Sequence, residues 1–171
     1  MEQREDYYEL LGLGLMFCGK KAKIKGLPWF TDNHGFSKFE ISDKEARVCP
    51  DLLVAHGPLF LSELLYHPLL YSAYPTLQEV PVFFIQDSTI GAAVDAFGNI
   101  YLSVFSLPNI LHEVQHNIQL REGFPLGGTS SDLNYHTLPG EIEARDVQVK
   151  MRFTAKQRAK IAPALEGRRE V

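Results

Sequence analysis

"NILHEVQHNIQLREGF", residues 109–124, decides how the rest of the chain is read. It carries His112 and His116, at positions i and i+4. On an α-helix that spacing sets two side chains one turn apart on the same face. Two imidazoles so placed reach a single Zn²⁺ at bond lengths of roughly 2.0–2.1 Å. Glu113 projects about 100° further round the helix, beside the metal rather than on it. That is where a general base takes a proton from a metal-bound water. The pattern is the H-E-x-x-H of metallopeptidases, and chance produces it in only about 1% of chains of this size, so it carries weight. Ile110, Leu111, Val114 and Ile118 supply the apolar packing of a buried helix. Pro108 suits its first turn and Gly123 its C-terminal stop.

A catalytic zinc needs a third protein ligand and an open fourth position. The metzincin pattern would continue with glycine and histidine, but Gln119 and Glu122 stand there. A carboxylate from a later helix is the alternative. "LPGEIEARDV", residues 138–147, offers Glu141 and Glu143. They point about 200° apart on one helix, so at most one faces the metal. Glu141 shares its face with Arg145, which can steady a ligating carboxylate. Glu143 shares its face with Asp146, a like charge. Glu141 is therefore the preferred third ligand and Glu143 the alternative. Tyr135 and His136, just before this helix, are candidate donors to the oxyanion of peptide hydrolysis. His136 is also a weaker candidate for the third ligand. The Gly127–Gly128 pair reads as a plain turn or as a mobile lid.

Outward from this pair of helices the pattern changes. "VPVFFIQDS", residues 80–88, is an apolar, β-branched and aromatic run that reads as a buried strand. "GAAVDAFGNIYLSVF", residues 91–105, reads as a hairpin with "DAFGN" as its turn. Residues 99–105 are the expected edge on which an extended peptide would pair. "GPLFLSELLYHPLLYSAYP", residues 57–75, reads as one or two short helices, interrupted near Pro68 and stopped at Pro75. "SDKEARV" predicts a helical turn capped by Ser42, after a short strand in "KFEIS". Residues 5–22 predict a first helix weakened by glycines. His67, before Pro68, is expected to be structural.

The chain has 171 residues, which suits one domain. Apolar residues make up 45% and charged residues 22%, as in a soluble globular protein. The net charge of −4 disfavours a nucleic-acid partner. Cys18 and Cys49 form no CxxC, so neither a disulfide framework nor a cysteine zinc site is expected. The apolar run at residues 10–17 is too short for a membrane span and lacks a basic leader, which predicts a cytoplasmic protein with no membrane partner. The fold class expected is α+β: one domain over 1–171, a small, mostly antiparallel sheet, then the H-E-x-x-H helix and a glutamate-ligand helix. Residues 1–27 would be a helical appendage and 156–171 a basic tail.

"HEVQH" with the downstream "GEIEAR" resembles the gluzincin branch of zincin metallopeptidases. "FSKFEISDKEARV", "LSELLYHPLLYSAYPTLQEVPV", "GNIYLS", "LHEVQHNIQLREGFPLGG" and "LPGEIEARDVQVKMRFT" together resemble the zincin-like domain of large polyvalent proteins of phages and mobile elements. These blocks span roughly residues 28–155. The resemblance implies Zn²⁺ held by His112, His116 and a glutamate of "GEIEAR", with Glu113 as base and then acid; it carries no known substrate, and the expectation of a peptide or protein substrate comes from the H-E-x-x-H motif. Many gluzincins carry an aspartate four residues after the ligand glutamate. With Glu141 as ligand that position is Arg145, a departure from the pattern.

Overall fold

Ser106 opens the helix that carries the motif. Its hydroxyl accepts from the Asn109 N–H at 3.3 Å, occupying one of the donors a helix start leaves free. Pro108 follows in the first turn, where its missing N–H costs nothing. The helix runs Leu107–Glu122 and ends on Gly123 at φ +68°, a left-handed conformation that a Cβ would disfavour. Both ends therefore fall where the sequence predicts. The computed structural model describes residues 29–31, 37–39, 41–49, 57–86, 91–123, 127–128, 132–154 and 157. The expected helix at 5–22, the 1–27 appendage and nearly all of the basic tail lie outside the described residues.

The described strands are β1 (Trp29–Thr31), β2 (Ser37–Phe39), β3 (Arg47–Val48), β4 (Leu59–Phe60), β5 (Leu65–Tyr66), β6 (Pro81–Phe84), β7 (Ala92–Val94) and β8 (Ile100–Leu102). The described helices are α1 (Leu61–Leu64), α2 (Pro68–Ala73), α3 (Leu107–Glu122) and α4 (Pro139–Lys150). β1 pairs with β2 and β3 with β5, each as an antiparallel pair. The main sheet has four strands in the order β4-β6-β8-β7. Its outer pairings are antiparallel and the central β6–β8 pairing is parallel, in register Val82↔Ile100 and Phe84↔Leu102. The architecture is mixed, small sheets with helices, and agrees with the α+β expectation.

Alternation decides which face of that sheet is buried. Val82, Ile100 and Leu102 are fully enclosed on the helix side, while Phe83 and Tyr101 stack on the other at 5.2 Å between ring centroids. From α3 the apolar stripe Ile110, Leu111, Val114 and Ile118 joins this core, as expected, together with Leu61, Leu64 and Leu77 from the preceding segment. α3 packs most extensively against α4 and next against β7. The "DAFGN" turn forms as predicted. Asp95 accepts from the N–H groups of Phe97 and Asn99, both at 2.9 Å, closing the β7–β8 hairpin. Asn117, buried on α3, donates to the Gly98 carbonyl of that turn and accepts from Arg121 at 2.7 Å. The hairpin is thus pinned to the middle of the motif helix.

Two expectations change. β8 lies between β6 and β7, so the strand in residues 99–105 is an inner one; among the described residues the outer strand of the hairpin is β7. Sequence alternation cannot distinguish an inner strand from an outer one, because pairing is set by distant segments. The segment 57–75 also folds into shorter pieces than expected. α1 is a single turn, and the chain extends as β5 before α2 starts at Pro68. Pro68 disfavours helical geometry at the residue before it, and His67 sits at φ −154°, ψ 80°. His67 is structural, as predicted. Its Nε2 lies 3.0 Å from Asp43 Oδ1, and its Nδ1 accepts from the Leu70 N–H at 3.3 Å, so α2 is tied to the turn that Ser42 caps. Cys49 is a half-buried free thiol. Among the described residues no helix is long and apolar enough to cross a membrane.

Candidate metal centre

α3 and α4 lie side by side and bring three side chains to one point. His112 Nε2 and His116 Nε2 stand 3.0 Å apart. The Glu141 carboxylate straddles them, Oε1 at 3.2 Å from His116 Nε2 and Oε2 at 3.4 Å from His112 Nε2. A tetrahedral ion with bonds of roughly 2.0–2.1 Å keeps its ligand atoms about 3.3 Å apart; the two imidazole nitrogens stand near that spacing, each has one carboxylate oxygen at a similar distance, and one ligand atom from each residue lies within 4.8 Å of the others. Among the described residues this is the group that can hold a metal ion. It is enclosed: His112 is 8% exposed and Glu141 1%. Glu141 Oε2 and His112 Nδ1 are buried without a hydrogen-bond partner, although His112 Nε2 faces the former. A cation among the three would satisfy that oxygen. The residues present therefore fit a divalent metal on geometry and on donor chemistry.

Of the two glutamates that sequence left open, Glu141 is the one brought to the histidines. Glu143 points the other way round α4 and accepts from Gln119 Nε2 at 2.9 Å. Burial raises its affinity for a proton, and Asp146 on the same face adds to this. Arg145 does not steady Glu141. Its guanidinium donates to the His136 carbonyl, reaches His136 Nδ1 at 3.1 Å, and lies 5.7 Å from the Tyr135 ring centroid. The support for Glu141 comes from the backbone instead, where the Gly128 N–H donates to Oε1 at 3.2 Å.

Gly127 explains why the loop can come so close. A Cβ there would stand 2.1 Å from Glu141 Oε1 and 2.6 Å from His116 Cε1. No side chain fits that gap. The glycine pair is thus packed on the candidate ligands.

Glu113 is buried beside the cluster, 4% exposed. Burial pushes its carboxyl up, the His112 and His116 rings oppose this, and Glu141 adds to it; the net direction is upward. A carboxyl shifted in this direction holds a proton more readily than a free one, which suits a group that takes up and returns a proton. At Glu141 burial works against ionisation, but the rings of His112 and His116 and the Tyr135 hydroxyl outweigh it and hold the carboxyl well below the usual range. Tyr135 is half-buried with its hydroxyl turned to Glu141; burial and that carboxylate push it up to about 12, so it stays a donor. His136 is exposed, bound to Arg145 and outside the ligand group.

Sequence reasoning passed over Gln119 except as a mismatch to another pattern. It is 1% exposed, its Oε1 lies 2.8 Å from His116 Nδ1, and its Nε2 donates to the Gly140 carbonyl at 2.9 Å. The available signal was its place three residues after His116, on the same helix face. No protein-family model, no curated protein and no solved structure matches the chain.

Proposed function

We propose that this chain is a zinc-dependent peptidase of zincin-like, gluzincin type. The carrying observation is the meeting of His112, His116 and Glu141 from two helices, with the buried Glu113 next to them on the first. Zinc held there would supply Lewis acidity toward a substrate carbonyl and toward water. Glu113 takes the proton of the attacking water and delivers it to the departing amine, and its raised proton affinity suits both halves of that task. The Tyr135 hydroxyl is the donor for the oxygen on which charge develops. Among the described residues β7 is an outer strand of its sheet, which supports the substrate assignment. Gly91 and Asp95 direct their ladder bonds to β8, so Ala92 and Val94 turn their backbone groups outward, ready for an extended peptide. The resemblance to zincin-like domains of phage and mobile-element proteins supports the zinc site and the role of Glu113, and the H-E-x-x-H motif supports a peptide or protein as substrate.

The test is Glu113→Gln. The variant keeps stoichiometric zinc and loses chelator-sensitive cleavage of a peptide library by a factor of at least about 100. Cleavage at the wild-type rate by Glu113→Gln would refute the mechanism.

One observation favours a second reading, a binding module with a structural metal. Gly127 and Gly128 pack on Glu141 and His116 and cover these two ligands on that side. Stoichiometric zinc in chelator-free protein together with no cleaved peptide would select that module.

A further inference from the structure

We infer that Gln119 is a positioning residue that presets His116 for metal and locks the two ligand helices in register. This rests on the metal-centre reading and deepens it. The backbone carbonyl of Gly140 can only accept. The atom of Gln119 2.9 Å from it must therefore be the amide nitrogen. Glu143 Oε2, 2.9 Å from the same nitrogen, agrees, since it takes the second N–H. With both N–H groups spent on α4, the amide oxygen is the atom left to face His116 Nδ1 at 2.8 Å. An oxygen there accepts, so a His116 ring with a single proton carries it on Nδ1. Nε2 is left with its lone pair, and Nε2 is the atom that faces His112 and Glu141.

Burial makes the chain of bonds consequential. Gln119 is 1% exposed, so no water replaces a lost partner without rearrangement. The bonds also join α3 to the first turn of α4, one residue from Glu141. The two imidazoles are unequal in this respect. His112 Nδ1 is buried with no hydrogen-bond partner, so orientation of the pair depends on the His116 side. Ligating histidines are commonly held by a carboxylate or a backbone carbonyl at the other ring nitrogen. Here a neutral amide does this, and it uses its remaining hydrogens to hold the helix that bears the third ligand.

The experiment compares wild type, Gln119→Met and Gln119→Glu. Zinc affinity is measured by chelator competition, the visible spectrum after Co²⁺ loading reports ligand geometry, and long-range ¹H–¹⁵N correlation on metal-free protein at alkaline pH reports the His116 tautomer. The expected results are an Nδ1–H tautomer in wild type and a tautomer mixture in Gln119→Met. Zinc affinity in Gln119→Met falls about 10–100-fold, with an altered Co²⁺ spectrum. Gln119→Glu, which keeps an acceptor, retains the Nδ1–H tautomer. A merely structural amide would lower the melting temperature and leave tautomer, affinity and spectrum unchanged, which overturns the proposal. The wild-type tautomer needs no variant, so a Gln119→Met protein that fails to fold still leaves the proposal open to refutation: an Nε2–H ring in wild type defeats it. Wild-type protein that takes up neither zinc nor cobalt overturns the metal centre and this role together; wild-type uptake matched by Gln119→Met, with an identical spectrum, overturns the role alone.

Discussion

Glu141 and Glu143 show how two identical side chains on one helix take different work from their surroundings. Glu141 meets two imidazoles, a backbone N–H and a phenol; Glu143 meets the amide of Gln119. Glu141→Gln should therefore reduce zinc uptake by at least about 100-fold, because a neutral amide is a much weaker ligand for Zn²⁺ than an anionic carboxylate. Glu143→Gln should keep zinc within about 10-fold of wild type. Chelator competition on both proteins checks this, and equal losses would contradict the assignment. Glu122, at the end of α3, offers a test by pH. Its carboxyl is raised from 4.5 to about 7: burial pushes it up, the Tyr74 hydroxyl, which donates to it, opposes this, and the Glu143 charge adds to the rise. The folded state thus prefers the protonated form. That contribution is full below about pH 4.5 and is lost as pH rises through about 7. Glu122→Gln mimics the protonated carboxyl at every pH. Denaturant melts of the metal-free protein should match wild type at acid pH and show a gain on the order of 1–2 kcal/mol at alkaline pH, discounted because the group is only half-buried.

At the scale of elements, the site is an encounter of α3, α4 and the Gly127–Gly128 loop. α3 is legible in sequence, since its proline, apolar stripe and terminal glycine are all local signals. The loop is not, because a glycine required by close approach looks the same in sequence as one required by a turn. Gly127→Ala measures the difference. The methyl group cannot stand 2.1 Å from Glu141 Oε1, so the loop or the carboxylate must yield. Weaker zinc binding, by about 10-fold or more, is the expected outcome, with the thermal stability of the metal-free protein changed by no more than about 1–2 kcal/mol. Unaltered zinc affinity in Gly127→Ala would mean that the loop does not brace the ligand. The β7–β8 hairpin gives the opposite lesson. Its turn was readable from "DAFGN", but which of its strands borders solvent depended on β6 arriving beside β8 from an earlier part of the chain.

At the scale of the molecule, a metal that bridges α3 and α4 ties its binding energy to folding. An ion bound only by the folded state, at a free concentration 100 times its Kd, adds about 2.7 kcal/mol. For a chain of this size that is a rise of roughly 5–10 °C in melting temperature. Calorimetry with and without zinc should show it in wild type and not in Glu141→Gln; equal melting of wild type in both conditions would speak against a site of useful affinity. What sequence alone determined was the α+β class, the motif helix with both its ends, the hairpin turn, the structural role of His67 and the pair His112–His116 with Glu113 beside it. These follow from spacing along a single segment, where helical and extended periodicities act over a few residues. The selection of Glu141 over Glu143, the turning of Arg145 to His136, the inner position of β8, the packing of Gly127 on the ligands and the bridge made by Gln119 were decided only by tertiary structure. Each depends on how far α4 is rotated and slid against α3, and that is set by packing between segments distant in sequence, which no local period encodes.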